Sequence, residues 1–460
     1  MHSIWAVATN TIKQALRMKV ALVSLLLLIV ILPVLGFSAT GDETLKGRLQ
    51  TFVSYSLSLM SLLLCVLTII ISVYTVTSDI EQRQIYTVIT KPIRRYQFVL
   101  GKLLGVIILD VMLLALFSAV IYTITIYTPS FTNASEAELI QAENEFFTAR
   151  AALNVPEEDV TEEVLARYEE LERRNELPPD ETREDIIAEL TKRKQLAKRA
   201  AEVGRALIWE FDNVKPLAET MFIRFKYDIF PNPPDSQVYS LWLAGDDQYI
   251  KYGEQPDTPV YEQSHKHAAR TFHEVEFPSD VVPEDGKLAI AFVNIPPNEA
   301  PVIFPLDGFE VLYKADSFGA NFVRSVFSIL LRLIFLACLG LMASTFLSFP
   351  VAVLFCLVFF FTATFSGFVT ESFGYLSENV GAVYSYTLER VIQLLPQFDK
   401  FNPGKFLVPA RLLSWSELAK AAVLPPWWGF DGDMVFVKAG LLLLLGLLIF
   451  RFREIARITA

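Results

Sequence analysis

Six long apolar runs limit what this chain can fold into more than any other feature. They occupy residues 20–37, 52–76, 103–127, 326–347, 350–370 and 434–450. Each reaches the roughly 17–25 residues that a helix needs to cross a bilayer. Lipid offers no hydrogen bonds, so such a run is expected to satisfy its own backbone as a transmembrane helix. No run of this kind lies between 130 and 320. At 53% hydrophobic over 460 residues, the chain is too apolar for an ordinary soluble protein and too charged for a bare bundle of spans.

Charge is divided along the same lines. Of the 51 acidic residues, 38 lie between 130 and 320, together with only 19 of the 40 basic ones. The remainder is net basic, and its Lys and Arg flank the apolar runs. That asymmetry predicts a multi-pass protein of the cell (inner) membrane with basic loops and both termini cytoplasmic and residues 129–320 extracytoplasmic. The scattered basic groups form no nucleic-acid patch, and no nucleic-acid partner is expected. Cys65, Cys338 and Cys356 sit in apolar runs and read as buried thiols, so no disulfide framework is implied.

Loop 78–102, between the second and third runs, is the most informative. Ser78 and Glu81 have capping-box spacing, which predicts a helix start. Pro92 interrupts that helix, because it lacks an N–H and clashes with the preceding turn. Lys91, Arg94, Arg95 and Lys102 then crowd one short loop. The stretch resembles the cytoplasmic loop of ABC exporter permeases of the second type. In those subunits an acidic helix leads to Lys-Pro, a basic turn, and Gly-Lys entering the next span. Glu81, Lys91-Pro92, Arg95 and Gly101-Lys102 fit, while Gln84-Ile85 replaces the Gly-Thr often seen midway. The resemblance implies that Glu81, Arg83, Lys91, Pro92, Arg94 and Arg95 meet an ATPase subunit. The alternative is a solvated turn between two spans.

Residues 4–19 read as an amphipathic helix on the inner membrane surface. The basic flank and run 20–37 have the outline of a signal peptide, but the run's length and the second span close behind predict an uncleaved anchor. Asp110 and Arg332 lie inside apolar runs, where ionisable groups are expensive and mark function by default. Asp110 alternatively pairs with a Lys or Arg, or faces water. Arg332 either snorkels outward or meets an acidic partner. Past Ser130, a capping box at Ser135 and Glu138 and proline punctuation predict about three helices up to Arg205, forming a hairpin. Val164, Leu165, Tyr168 and Leu171 recur at helical spacing and require a partner surface.

From about Ala206 the period changes. Met221, Ile223, Phe225, Tyr227 and Ile229 alternate with Phe222, Arg224, Lys226 and Asp228, a half-buried strand. Residues 238–243, 272–277, 288–295 and 308–313 read as further strands of a sandwich, with a weak likeness to jelly-roll modules at 277–294. His265 and His267 share one strand face near His273. Such a cluster suits a metal, but nothing completes the ligand set, and a polar surface is the plainer reading. Segment 371–433 is neither apolar enough to span nor plainly soluble. It holds an amphipathic stretch at 383–395 and a short helix capped by Ser414 and Glu417.

The second half extends the resemblance. The turn at 344–353, the stretch Leu394 to Pro403, Ser414-Trp415 and the ending Phe450 to Glu454 are similar to the same permeases, more narrowly to the multicopper-enzyme-maturation branch. The expected fold is therefore a polytopic α-helical membrane protein of about six transmembrane helices. An extracytoplasmic α-helical hairpin and a jelly-roll-like β-sandwich are inserted between its halves. Its parts would be 1–128, 129–206, 207–318 and 319–460. The chain has no Gly-x-x-x-x-Gly-Lys-[Ser/Thr] loop and no recognisable catalytic constellation, so no enzyme activity and no cofactor are expected in it. The resemblance implies an ATP-driven exporter permease with an ABC ATPase subunit and a second permease copy, identical or not, as partners in the lipid bilayer. The competing expectation is a membrane-anchored binding or assembly protein whose sandwich holds a glycan or a protein.

Overall fold

The computed structural model describes residues 2–41, 44–81, 94–155, 159–174, 177, 183–212, 214–231, 236–253, 258–305, 308–373, 395–400, 402–423 and 434–452. The chain divides into two compact units, 1–149 with 317–460, and 150–316.

The first unit opens with α1 (His2–Leu16), α2 (Lys19–Ser38), α3 (Leu45–Glu81), α4 (Arg95–Phe131) and α5 (Glu136–Glu145). Ser135 caps α5 as its spacing requires, its Oγ accepting from the Glu138 N–H at 3.3 Å. The expected helix start at Ser78 does not occur. Helix α3 runs unbroken through Ser78 to Glu81, because Ser78 and Asp79 are buried in its last turns. Both α3 and α4 have 37 residues. At the helical rise each is about 55 Å long, well beyond the hydrocarbon core. They outrun the apolar runs that announce them, so Arg95 and Lys102 lie within α4 and not in a loop.

The second unit contains β1 (Thr148–Asn154, which begins at the unit border), α6 (Thr161–Arg174), α7 (Arg183–Lys198), β2 (Ala200–Ala201), β3 (Ala206–Phe211), β4 (Thr220–Phe225), β5 (Asp228–Ile229) and β6 (Gln237–Gly245). It continues with α8 (Asp247–Tyr252), β7 (Tyr261–Ala268), β8 (His273–Pro278), β9 (Leu288–Asn294), β10 (Val302–Ile303) and β11 (Phe309–Ser317). Two four-stranded sheets, ordered β1-β11-β4-β8 and β3-β9-β6-β7, are joined by a small ribbon β2-β10-β5. Aromatic rings close the space between the sheets. Trp209 of β3 stacks on Phe309 of β11 at 3.9 Å, and Trp242 of β6 meets Phe225 of β4 at 4.6 Å. All five residues expected to face inward from Met221 to Ile229 are buried, but Phe222 of the other face is buried too, and the single expected strand is divided into β4 and β5 of different sheets. Strand β1 falls in a stretch expected to be wholly helical. The helical hairpin forms from α6 and α7, tied by Glu163 to Lys194 at 2.9 Å and to Lys198 at 3.1 Å. It buries Val164 and Tyr168 and leaves Leu165 exposed.

The first unit resumes with α9 (Phe318–Ser344), α10 (Phe349–Phe373), α11 (Gly404–Leu407), α12 (Trp415–Val423) and α13 (Val435–Phe452). Six described helices, α2, α3, α4, α9, α10 and α13, are long and apolar enough to cross a membrane. They fall on the six apolar runs. Helices α3 and α9 form the interior of the unit, while α2, α10 and α13 keep most of their apolar surface outward. That distribution is the one lipid as solvent selects, since an outward Leu costs nothing there.

Candidate functional site

Four helices knot together where α3 ends and α4 begins. Val7 of α1, Ile80 of α3, Phe98 and Val99 of α4 and Phe450 of α13 form one apolar cluster. Phe98 stacks on Phe450 at 6.0 Å. Two glycines let α1 lie directly on α4. A Cβ on Gly101 would stand 2.7 Å from Val7 Cβ, and one on Gly105 would stand 2.7 Å from the Ala8 carbonyl oxygen. This is small-residue packing at four-residue spacing, which allows backbones to approach closely. The buried face of α1, Ala8, Thr11 and Ala15, meets that surface, so the amphipathic pattern is a packing pattern.

One buried ion pair lies beneath the knot. Lys102 Nζ is 2.7 Å from Asp79 Oδ2 and donates to Gln14 Oε1 at 3.2 Å. Lys102 is 1% exposed and Asp79 5%. A charge buried without a partner costs several kcal/mol, so each of these residues requires the other. The bond joins α1, α3 and α4. Both residues lie in the stretch read from sequence, yet their pairing was not legible, because it depends on α3 remaining helical through Asp79.

The expected coupling residues separate. Glu81 ends α3 and is exposed; Arg94 precedes α4 and is exposed. Arg95 Nη1 donates to the carbonyls of Phe450 and Arg451, each at 2.9 Å. It thereby caps the C-terminal end of α13, where a cation complements unpaired carbonyls. Arg83, Lys91 and Pro92 lie outside the described residues.

Deeper in the unit, polar side chains line the inward faces. Asp110 is buried on α4, and its Oδ1 accepts from Thr68 Oγ1 of α3 at 2.8 Å. Its Oδ2 is buried without a hydrogen-bond partner. Among the described residues it forms no ion pair, so the expected Lys or Arg partner is replaced by a hydroxyl. Arg332 does not simply reach outward: its Nη2 donates to the Phe398 carbonyl at 2.6 Å.

That contact belongs to a set. Lys438 Nζ donates to the Leu395 carbonyl at 2.9 Å, and the Phe398 N–H donates to the Ala363 carbonyl at 3.1 Å. Gln50 Nε2 donates to Val408 O at 2.7 Å, and Asn321 both donates to Arg411 O and accepts from Leu413 N. Arg324 Nη1 donates to Leu413 O at 2.9 Å. Segments 395–400 and 402–413 are thus held against α3, α9, α10 and α13 by polar groups that the spans supply. Non-helical backbone among spans requires this kind of satisfaction. Most of the amphipathic stretch expected at 383–395 lies outside the described residues, whereas the Ser414–Glu417 capping box opens α12 as read, Glu417 N–H donating to Ser414 Oγ at 3.0 Å.

In the sheet unit the three histidines converge. Register places His267 opposite Val238, His265 opposite Ser240 and His273 opposite Phe225, all buried residues. The His265 and His267 rings lie 5.4 Å apart, and those of His267 and His273 4.5 Å. Burial, then the neighbouring His273 and His265, pushes His267 down to about 4. His273 Nε2 is 2.8 Å from the Ala268 carbonyl, which makes that nitrogen a donor and not a ligand. Among the described residues no three His, Cys, Asp or Glu side chains are arranged to hold a metal ion. The polar-surface reading also needs correction, since the rings pack on Phe225 and Tyr227.

Residues 5–143 match the family described as ABC-2 family transporter protein. The match runs from α1 into α5 and includes the α1, α3 and α4 parts of the knot around Lys102, but not Phe450 of α13. It supports a permease domain of an ABC transporter in a multi-pass membrane protein. No curated protein and no solved structure matches the chain.

Proposed function

We propose that this chain is the permease subunit of an ATP-driven ABC exporter, energised by a separate ATPase subunit and working as a pair of permeases. The observation that carries the reading is the family match over 5–143, which coincides with the helices joined by Lys102, Asp79, Gly101 and Gly105. Under this reading the protein sits in the inner membrane with the basic stretch 78–102 and both termini cytoplasmic. Residues 129–320 are extracytoplasmic, and the sandwich is of jelly-roll type. The likeness to the multicopper-enzyme-maturation branch is part of the same proposal.

The packing suggests how force would travel. Residues 82–93 connect two helices that are bonded to each other by Lys102 and Asp79, to α1 through the glycine pair, and to α13 through Arg95. A partner's closure applied at Glu81, Arg83, Lys91, Pro92 and Arg94 would move these helices as one body. Arg95 acts on the α13 side of that body. The test is co-purification of an ATPase with the full chain and measurement of its turnover in liposomes. Glu81→Ala with Arg83→Ala is expected to lower ATPase association and stimulated turnover while leaving the melting temperature unchanged, because Glu81 is exposed. If both activities persist in the double variant, the coupling role is lost; if no ATPase associates with the wild type, the anchored-binder reading replaces transport.

A further inference from the structure

A cavity of about 660 Å³ lies between the ends of α2 and α4, at the start of α3 and opposite the Lys102 end of the spans. Its size suits a ligand, which pockets of about 300–1,000 Å³ commonly hold. Phe37, Ile124, Tyr127 and Phe131 supply an apolar wall, and Thr128 lies among them. The single charged group lining it is Arg48.

Two cations in the first turn of α3 are treated differently. Lys46 is neutralised by Glu145 of α5. Arg48, two residues on and half-buried, has no hydrogen-bonded or ion-paired side-chain partner among the described residues. Its planar fork suits phosphate oxygens. Phe37, Tyr127 and Phe131 are 90%, 56% and 84% exposed at the helix ends. Aromatic side chains gathered at the ends of spans mark the level of lipid headgroups. Arg48 lies beside these aromatic helix ends, and the cavity wall continues from it along α4 through Ile124 and Tyr127. Gly36 keeps α2 close enough to close the other side, since a Cβ there would stand 3.0 Å from Ile124.

We propose that this cavity binds one anionic phospholipid, its headgroup on Arg48 and an acyl chain along Phe37, Ile124 and Phe131. The site depends on the membrane setting and not on coupling to an ATPase, so the two readings fail separately. The test uses the full chain in nanodiscs carrying a photoreactive phosphatidylglycerol or its phosphatidylcholine counterpart, with labelled peptides mapped by mass spectrometry. Phosphatidylglycerol is expected to label residues 33–37 and 124–131 about fivefold more than phosphatidylcholine, the effect of one interfacial basic residue. Arg48→Gln should abolish that excess, Arg48→Lys should keep most of it, and Ile124→Trp, which fills the cavity, should lower labelling by both lipids. Equal labelling by the two lipids in the wild type means annular lipid only and overturns the proposal. An excess that survives Arg48→Gln also overturns it. Displacement of the label by millimolar inorganic phosphate would reveal a free-anion site in place of a lipid site. Should Arg48→Gln melt early, the comparison of Arg48→Lys with Ile124→Trp still decides the matter.

Discussion

Both units have an apolar core, but they differ in the charged groups buried beside it. In the helical unit Lys102, Asp79, Asp110 and Arg324 are inside, and Leu, Val and Phe of α2, α10 and α13 face outward. In the sheet unit Trp209, Trp242, Phe225, Phe292 and Phe309 fill the interior, and Glu163, Lys194 and Arg167 are at the surface. The same physical chemistry yields both. Against lipid, an outward apolar side chain costs nothing, so inward positions are open to polar groups that bind elements together. Against water, an apolar side chain is stabilised by leaving the solvent, so the interior is largely aromatic and most charge is outward, buried Arg150 with its Glu274 partner excepted. In the helical unit, specificity rests on a few charged bonds; in the sheet unit it rests on shape.

The sharpest way to break this comparison is to remove one charge from the helical unit. Lys102→Met leaves Asp79 buried and unpaired and should destabilise the detergent-solubilised full chain by about 3–5 kcal/mol. Lys102→Met combined with Asp79→Leu should recover most of the loss. A double variant as unstable as the sum of its parts would show that the pair does not join the helices.

A smaller effect is expected from shape alone. Ile223 is fully buried between the sheets. Ile223→Val should cost about 1 kcal/mol in denaturant unfolding of an expressed fragment 130–318, with no dependence on salt. That experiment also asks whether the fragment melts cooperatively. A fragment without a cooperative transition would place its stability in the rest of the chain.

The histidines give the sheet unit a pH dependence. His267 is held neutral by burial, at about 4 against an ordinary value near 6.5. In the unfolded chain the imidazole takes up its proton first. Stability is therefore full above about pH 6.5 and falls as pH drops through the window down to about 4. Melting of fragment 130–318 should decline across that window, and His267→Gln should flatten the decline. A profile identical in the two proteins would remove His267 as its source.

The smallest effect belongs to the surface. Arg167 pairs with Glu170 at 2.5 Å on the exposed side of α6. Arg167→Ala should leave the melting temperature unchanged, because solvent screens exposed pairs. A clear drop would mean that this face is covered in the working protein.

How much of this was legible depends on which interaction fixes each element. The six spans, the capping boxes at Ser135 and Ser414, and the strand through Met221 to Phe225 follow from local period and composition, and the structure keeps them. Ser78 and Glu81 show the limit of that reasoning. Their spacing is that of a helix start, but the pairing of Asp79 with Lys102 and the packing of Ser78 keep α3 helical past them. Local capping contributes about 1 kcal/mol, and a buried ion pair overrides it. Strand β7 was legible only at His265 and His267, because Glu262, Gln263, Ser264 and Lys266 hide its alternation.

By itself, then, the sequence determined the solvent of each segment, since hydropathy and charge are properties of residues and need no partner. It determined that two units of opposite character alternate along the chain. Only the tertiary structure decided what each charged residue in the helical unit does. Arg95 caps α13 from 355 residues away, Arg332 holds the Phe398 carbonyl, Arg324 holds Leu413, and Lys102 finds Asp79. The physical reason is range. An apolar residue is satisfied by any apolar neighbour, so its fate can be read locally. A buried charge or donor is satisfied by one atom at about 3 Å in a fixed direction, and that atom is chosen by how distant helices pack.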